Sequence, residues 1–215
     1  MKLAVAIALL AASVVGQGAD DSWLTWPASR AQAIGKAAYV QGRVGGLFDT
    51  RFLKTERAYN YKLAATWMTP EVIRATARTL QLAERLSADE SRLLVADAEQ
   101  VGGTVVIVEI DPREGSGVIP NDWAAFLQAA VPDGATPRTV RGVDTPKLRD
   151  VKALAGVLRR NYDYDRFWVV FPLTHPDGKP LFVAGDPQAE LVVRIAGREG
   201  RVKWQIPPAL SNGGD

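Results

Sequence analysis

Apolar and polar positions alternate along several stretches of the chain, and a period of two predicts β-strands. The stretch 55–66 places Tyr59, Tyr61 and Leu63 on one side, with polar residues between them. The run TVVIVEI at 104–110 is rich in β-branched residues and lies between Gly-Gly and Asp-Pro. These features predict two strands, the second of them the strongest in the chain.

The last third of the chain has the pattern of two hairpins. Residues 166–173 and 179–183 flank a Pro-Asp-Gly turn, and residues 190–196 and 201–206 flank a turn with glycine at both ends, 197–200. Successive hairpins with short turns favour antiparallel pairing over crossover connections.

Two helices with clear start signals are predicted at about 70–101. Thr69 and Pro70 provide a hydroxyl cap and a proline at the first helical position. Ser87 and Glu90 have the spacing of a capping box, so a second helix is expected to begin there. The pair is interpreted as a helical hairpin inserted between strands.

Helical spacing also predicts a short helix that begins at Asn121 or Asp122 and a longer helix over 147–160. The apolar face of the short helix is formed by Trp123, Phe126, Leu127 and Ala130.

Together these elements predict a single α+β domain, built as an antiparallel β-sheet or β-sandwich with a helical-hairpin insertion at about 70–101. The strand spacing also allows an immunoglobulin-like sandwich. The predicted organisation is a signal peptide at 1–18, a partly ordered N-terminal arm at 19–46, a globular domain at 47–208 and a frayed C-terminus at 209–215.

The first 18 residues have the pattern of a secretory signal. Lys2 provides the positive charge, an apolar stretch covers 3–15, and small residues Gly16 and Gly18 precede Ala19. Cleavage is predicted between Gly18 and Ala19, with a cut after Gly16 as the alternative. A membrane anchor is disfavoured because a spanning helix needs about 20 apolar residues.

Composition narrows the chemistry and the compartment. The 215 residues include no cysteine, which excludes disulfides, thiol nucleophiles, thiolate metal sites and a lipid-modified cysteine. The one histidine, His175, lies in a predicted turn, where a surface role is expected. Export without disulfides and 18 Arg against 8 Lys favour a bacterial envelope, periplasmic or secreted. The near balance of 26 basic and 24 acidic residues gives no argument for nucleic-acid binding.

Three carboxylates, Glu109, Asp111 and Glu114, lie around the end of the strand 104–110. Two carboxylates across a cleft can hydrolyse a glycosidic bond, which makes Asp111 and Glu114 candidate catalytic residues. The favoured alternative is an ordinary turn in which Arg113 neutralises the acids.

Asp163 and Asp165 stand at alternate positions, as at the start of an EF-hand loop, and are candidate metal ligands. The match then fails, because Arg166 replaces the turn glycine and Pro172 replaces the bidentate glutamate. A polar beginning of a strand is favoured. No phosphate-loop or dinucleotide motif occurs, so the sequence predicts no cofactor.

Two sets of residues are candidates for contact with a partner, either another envelope protein or an anionic surface. Residues 138–160 carry seven basic side chains against two acidic ones, which favours an anionic partner or a solvated helix face. The two tryptophans of the N-terminal arm form the second set, because exposed indoles are costly and at least part of the arm is therefore expected to dock. The candidates are Trp23, Trp26, Arg138, Arg141, Arg159 and Arg160.

No nucleophile–base pair, metal motif or phosphate loop is present in the pattern, so the leading hypothesis is a non-catalytic binding or structural module of the envelope. The alternative is a hydrolase that acts on an envelope polymer or peptide through two of five carboxylates. A third hypothesis is a binding domain stabilised by calcium. The five carboxylates are Glu109, Asp111, Glu114, Asp163 and Asp165.

Overall fold

A computed structural model describes most of the chain, in several ranges. The ranges are 20–43, 61–112, 119, 121–130, 136–158, 165–195 and 198–211, with the backbone alone for 61, 62, 111, 112 and 198. None of the helices within these ranges has the length and apolar character needed to cross a membrane. Because the first of these ranges begins at residue 20, the signal peptide predicted at 1–18 lies outside the described residues.

The described strands form two antiparallel sheets of four strands each. They are β1 (Tyr61–Met68), β2 (Thr104–Pro112), β3 (Ala124–Ala129), β4 (Thr139–Arg141), β5 (Val143–Asp144), β6 (Asp165–Phe171), β7 (Ala189–Ile195) and β8 (Arg198–Trp204). The first sheet has the order β1-β2-β6-β5 and the second the order β4-β3-β7-β8. The predicted α+β class with antiparallel sheets is confirmed. Strands β7 and β8 pair as predicted, but β8 begins at Arg198, inside the predicted turn of 197–200.

Four α-helices and three short 3-10 helices accompany the sheets in the described ranges. The α-helices are α1 (Ala28–Gln41), α2 (Pro70–Glu84), α3 (Ala88–Glu99) and α4 (Pro208–Ser211), and the 3-10 helices cover Asp21–Thr25, Pro146–Asp150 and Lys152–Leu154. The backbone N–H of Val72 donates to Thr69 Oγ1, and the capping box between Ser87 and Glu90 is formed in both directions. These start signals lie where the sequence predicts them.

The two sheets share one hydrophobic core, here called the first core. Alternate residues of β2 and β6 point into it from the first sheet, and alternate residues of β3, β7 and β8 point into it from the second. At one end of the first core the ring of Trp67 lies 6.0 Å from that of Phe182 and 5.4 Å from that of Trp204, centroid to centroid. The strands are buried on this face by aliphatic and aromatic side chains from both sheets.

The opposite face of the first sheet is covered by helices, and the contact between them is the second core. Met68, Ile107 and Trp168 pack there against α2 and α3, together with Trp23 and Trp26. The 21–43 segment is therefore packed on the body of the protein rather than extended from it.

Helix α1 lies close to its neighbours because two glycines allow it. A Cβ atom at Gly35 would lie 2.2 Å from Val157 Cβ, and one at Gly42 would lie 1.4 Å from the Ala65 carbonyl oxygen. The Ala65 N–H donates to the Gly42 carbonyl at 2.8 Å, which ties the end of α1 to the edge strand β1.

The helix predicted from Asn121 or Asp122 is wrong, because residues 124–129 form strand β3. The spacing of Phe126 and Leu127 fits both periods, but pairing with β7 along six residues gives a strand. Every second residue, beginning with Ala125, is buried, as a strand with one face in the core requires.

The helix predicted over 147–160 is also wrong. Pro146–Asp150 and Lys152–Leu154 form separate 3-10 helices, and Gly156 follows with a φ of +80°. The strand predicted at 179–183 is reduced to a single bridge between Thr174 and Pro180. Short 3-10 helices thus replace the predicted α-helix, and a single bridge replaces the predicted strand.

Candidate functional site

A cleft of about 590 Å³ opens between α1, the first turn of α2 and the segment after β8. This volume lies in the range of small-molecule sites, about 300–1,000 Å³. Most of the lining is apolar, with a few polar groups among it. The lining residues are Ile34, Ala37, Ala38, Gln41, Trp67, Thr69, Pro70, Glu71, Val72, Arg74, Trp204, Gln205, Ile206, Pro207, Pro208 and Ala209.

Two tryptophans from different sheets contribute the aromatic part of the cleft. Trp67 is near the end of β1 and Trp204 is the last residue of β8, and their rings are tilted by 45°. The Trp67 Nε1–H donates to Thr104 Oγ1 at 2.7 Å. The Trp204 Nε1 is buried and finds no acceptor in the part of the chain that the structure describes. One of the two indoles therefore retains an unused donor.

The remaining walls carry three hydrogen-bonding side chains among apolar residues, those of Gln41, Thr69 and Gln205. Ala37 and Ala38 of α1 are small, which leaves space between this helix and the end of the second sheet. Pro207 and Pro208 follow β8 and have no backbone N–H to offer. A surface of this kind favours contact with an apolar molecule over hydrogen bonding.

Two side chains of opposite charge, Glu71 and Arg74, line the cleft from α2. They stand three residues apart, and residues at this spacing are neighbours on a helix surface. Arg74 Nη2 lies 3.9 Å from Glu99 Oε1, the limit of an ion pair, and Glu71 takes part in none among the described residues. Glu71 is thus left for a ligand in the cleft, and the guanidinium of Arg74 is held by a single long contact.

A second, much smaller cavity of about 20 Å³ lies beside the ion pair of Glu109 and Arg166, with room for about one water molecule. Arg166 Nε and Nη2 donate to Glu109 Oε1 at 3.2 and 3.0 Å, and Nη1 donates to the Ala155 carbonyl at 3.4 Å. The Glu109 side chain is 4% exposed and that of Arg166 is 28% exposed. This carboxylate is occupied by a guanidinium that also holds the 155–158 segment.

The two candidate carboxylates whose side chains are described, Glu109 and Asp165, do not lie together. Asp165 precedes Arg166 in β6, so its side chain points to the face opposite the one on which Arg166 meets Glu109. The side chain of Asp111 and all of Glu114 and Asp163 lie outside the described residues. Within the described ranges no group of three or more His, Cys, Asp and Glu side chains could hold a metal ion.

The candidate partner-contact residues have different surroundings. Trp23 and Trp26 are buried in the second core, 2% and 8% exposed. Arg138 donates to the Leu181 carbonyl and pairs with Asp186, whereas Arg141 is exposed at the end of β4. Arg159 and Arg160 lie outside the described residues. Of this set, Arg141 is the described side chain that solvent reaches most freely.

His175 lies in a surface turn with Asp177 and Lys179. The Lys179 backbone N–H donates to Asp177 Oδ1 at 3.0 Å, and His175 Nδ1 lies 3.0 Å from the same oxygen. These contacts, the Lys179 backbone and side chain first, lower the pKa of Asp177 to about 2. The groups stabilise the turn and lie outside both cavities.

Sequence reasoning missed the cleft because no local motif marks it. Its walls come from about 34–41, 67–74 and 204–209, which are far apart in the chain and mostly apolar. The signals that the sequence offers are Trp67 near the end of β1, Trp204 at the end of β8, and the pair Pro207-Pro208 that follows β8.

Comparison of the chain with protein-family models, with curated proteins and with solved structures finds no match. Its function is therefore inferred from its own geometry.

Proposed function

We propose that this protein is a non-catalytic binding protein whose cleft holds the apolar part of an amphipathic small molecule. The observation that carries the proposal is the cleft of about 590 Å³ with Trp67 and Trp204 in its lining. Such sites are mostly apolar and carry a few polar groups that orient the ligand. Here Glu71 and Arg74 are the charged groups among them.

A ligand in the cleft gains free energy from the apolar surface that it buries there. Each 100 Å² of apolar ligand surface that is buried contributes about 2.5 kcal/mol, before the cost of immobilising the ligand is subtracted. An alkyl chain that lies against this lining gains a few kcal/mol in this way, so binding in the millimolar to micromolar range is expected.

The test is calorimetric titration of the purified protein with amphiphiles of one neutral head group and increasing alkyl length. Affinity should rise with each added methylene until the cleft is full, by up to about fourfold per step. Ala37→Phe should weaken binding at least tenfold, because Ala37 is exposed and lines the cleft. Lys36→Phe is the matched control, an exposed neighbour on α1 that is absent from the lining.

Two results would count against the proposal. One is the absence of saturable binding for the whole alkyl series. The other is equal affinity of the Ala37→Phe and Lys36→Phe proteins, which would place the ligand elsewhere.

We further propose that the protein is exported in a bacterium, to the periplasm or the medium, after cleavage between Gly18 and Ala19. The support is the charged start, the apolar stretch and the small residues of 1–18. Expression with the native N-terminus, followed by cell fractionation and intact mass measurement, tests it. The exported species should begin at Ala19, and a cytoplasmic species of full mass would contradict export.

At the level of architecture we propose that α2 and α3 form an inserted helical hairpin. In support, they lie in sequence between β1 and β2, which are neighbours in the first sheet. The immunoglobulin-like arrangement stays a prediction from strand spacing.

A further inference from the structure

We infer that the cleft selects amphiphiles whose head group carries one positive and one negative charge. The inference rests on the proposed function, since it concerns the head group of the molecule whose apolar part occupies the same cleft.

Two charged side chains of opposite sign line the cleft. In the described lining Glu71 is the one acidic side chain and Arg74 the one basic side chain. They lie one helical turn apart on α2, yet no ion pair joins them. Residues at this spacing have Cβ atoms about 5–6 Å apart on the helix surface, so one compact head group can reach both side chains.

The contacts of the two groups with the protein are weak. Arg74 lies 3.9 Å from Glu99, whose side chain is 51% exposed. It also acts on Asp20, whose pKa is lowered first by hydrogen bonds from Ser22 and to a smaller extent by Arg74. Glu71 has no ion-pair partner in the described ranges. A ligand can therefore engage each charge without first breaking a short, buried salt bridge.

Charge complementarity then decides between head groups. An anionic head group is attracted by Arg74 and repelled by Glu71. A cationic head group is attracted by Glu71 and repelled by Arg74. A head group with one charge therefore gains little binding free energy. A head with both charges gains from both residues. Because exposed ion pairs are each worth about a two- to fivefold change in affinity, two of them should give the zwitterion a preference of roughly four- to twenty-five-fold.

Two buried indoles, Trp204 in the cleft and Trp26 in the second core, have an Nε1–H without an acceptor among the described residues. Trp204 is 5% exposed and lines the cleft, and its Nε1 finds no acceptor among the described residues. Buried donors are normally satisfied. Since such an unpaired donor also occurs at Trp26, away from the cleft, the head-group preference depends on Glu71 and Arg74 alone.

The experiment compares five amphiphiles with the same twelve-carbon chain on the full protein, each below its micelle concentration, by calorimetry. Dodecylphosphocholine and dodecyl betaine carry both charges in opposite order. Dodecanoate, dodecyltrimethylammonium and dodecyl maltoside supply the anionic, cationic and neutral heads. At least one zwitterion should bind about fourfold or more tighter than each of the other three.

Charge variants make the test specific to the two residues. Arg74→Gln should abolish the zwitterion preference and favour the cation over the anion, whereas Glu71→Gln should favour the anion. Arg149→Gln, on an exposed arginine outside the lining, is the matched control and should leave the ranking unchanged. Thermal unfolding of each variant checks that it is folded.

The outcomes separate this inference from the proposed function. Equal affinity for all five heads, or a ranking that the Glu71 and Arg74 variants do not alter, would overturn the head-group inference and leave the cleft as a binding site. Failure of all five to bind would overturn both.

Discussion

Glu109 and Arg166 form an ion pair across the neighbouring strands β2 and β6, and the two side chains are buried to different extents. Glu109 is almost completely covered, whereas Arg166 keeps 28% of its side chain exposed. Removing one partner of a buried pair is destabilising, and the cost rises with the burial of the charge that remains.

Arg166→Met is therefore expected to destabilise the protein more than Glu109→Gln. We expect about 3 kcal/mol or more for Arg166→Met, which leaves the carboxylate in the interior without its guanidinium. Glu109→Gln should cost about 1–2 kcal/mol, because the arginine left behind is still reached by water. Urea unfolding measures both free energies.

The control for this pair is Arg194→Met, which removes an exposed partner of Glu199. Its cost should stay below about 1 kcal/mol. Equal losses for the Arg166 and Glu109 variants would contradict the argument from unequal burial.

Asp177 provides a prediction about pH. Its pKa of about 2 in the folded protein lies below the usual 3.8, because the Lys179 backbone and side chain and His175 favour the ionised carboxylate. A lowered pKa means that the stabilisation is complete above about pH 4 and is lost as the pH falls through about 2. Asp177→Asn should therefore remove part of the acid sensitivity.

The measurement for Asp177 is the free energy of unfolding from about pH 5 down to about pH 2, for both proteins. The curve of the wild-type protein should fall more steeply than that of Asp177→Asn. Parallel curves over this range would show that the turn contributes nothing through this carboxylate.

At the scale of single residues, the sequence predicts local chemistry better than distant contacts. The turn position of His175 and the cap at Thr69 follow from residues within a few positions of each other. The partner of Glu109 does not, because Arg166 reaches it only through the register of β2 with β6. Nothing in the sequence around Trp23 and Trp26 indicates the helices that bury them.

Helix α1 is held by close contact rather than by a wide apolar face. Gly35 is one of its two buried residues, and a Cβ there would lie 2.2 Å from Val157 Cβ. A change of side-chain rotamer cannot relieve a contact between two Cβ atoms, so the helix or the 155–158 segment has to move.

Gly35→Ala is expected to destabilise the protein by about 1–3 kcal/mol, the usual range for overpacking. Helix propensity alone would have the opposite effect, about 1 kcal/mol of stabilisation. Thermal or urea unfolding gives the sign. Lys36→Ala, on an exposed neighbour, should change stability by no more than about 0.5 kcal/mol. A more stable Gly35→Ala protein would mean that Val157 yields easily.

The accuracy of element prediction follows the strength of the local signals. Helices α2 and α3 have caps and clear periodicity, and both were predicted. Strand β3 was mistaken for a helix because alanines fill half of its six positions and fit either period. Helix α1 was missed because its small residues give it little amphipathic character.

At the scale of the whole molecule, the first sheet is shared by two cores. One face packs against the second sheet and the other against α1, α2 and α3. The cleft lies where α1 leaves this packing uncovered, near the ends of β1 and β8. The position of the cleft depends on which distant segments pack together in the fold. The local sequence pattern does not indicate that packing.

Photolabelling tests the central claim, that the cleft binds the apolar part of an amphiphile, most directly. The full protein would be irradiated with a dodecyl amphiphile that carries a photoreactive group on its chain, and the labelled residues identified by mass spectrometry. We predict labels concentrated at 34–41, 67–74 and 204–209, and their suppression by Ala37→Phe but not by Lys36→Phe. Labels scattered over other surfaces, or labelling that Ala37→Phe leaves unchanged, would contradict the claim.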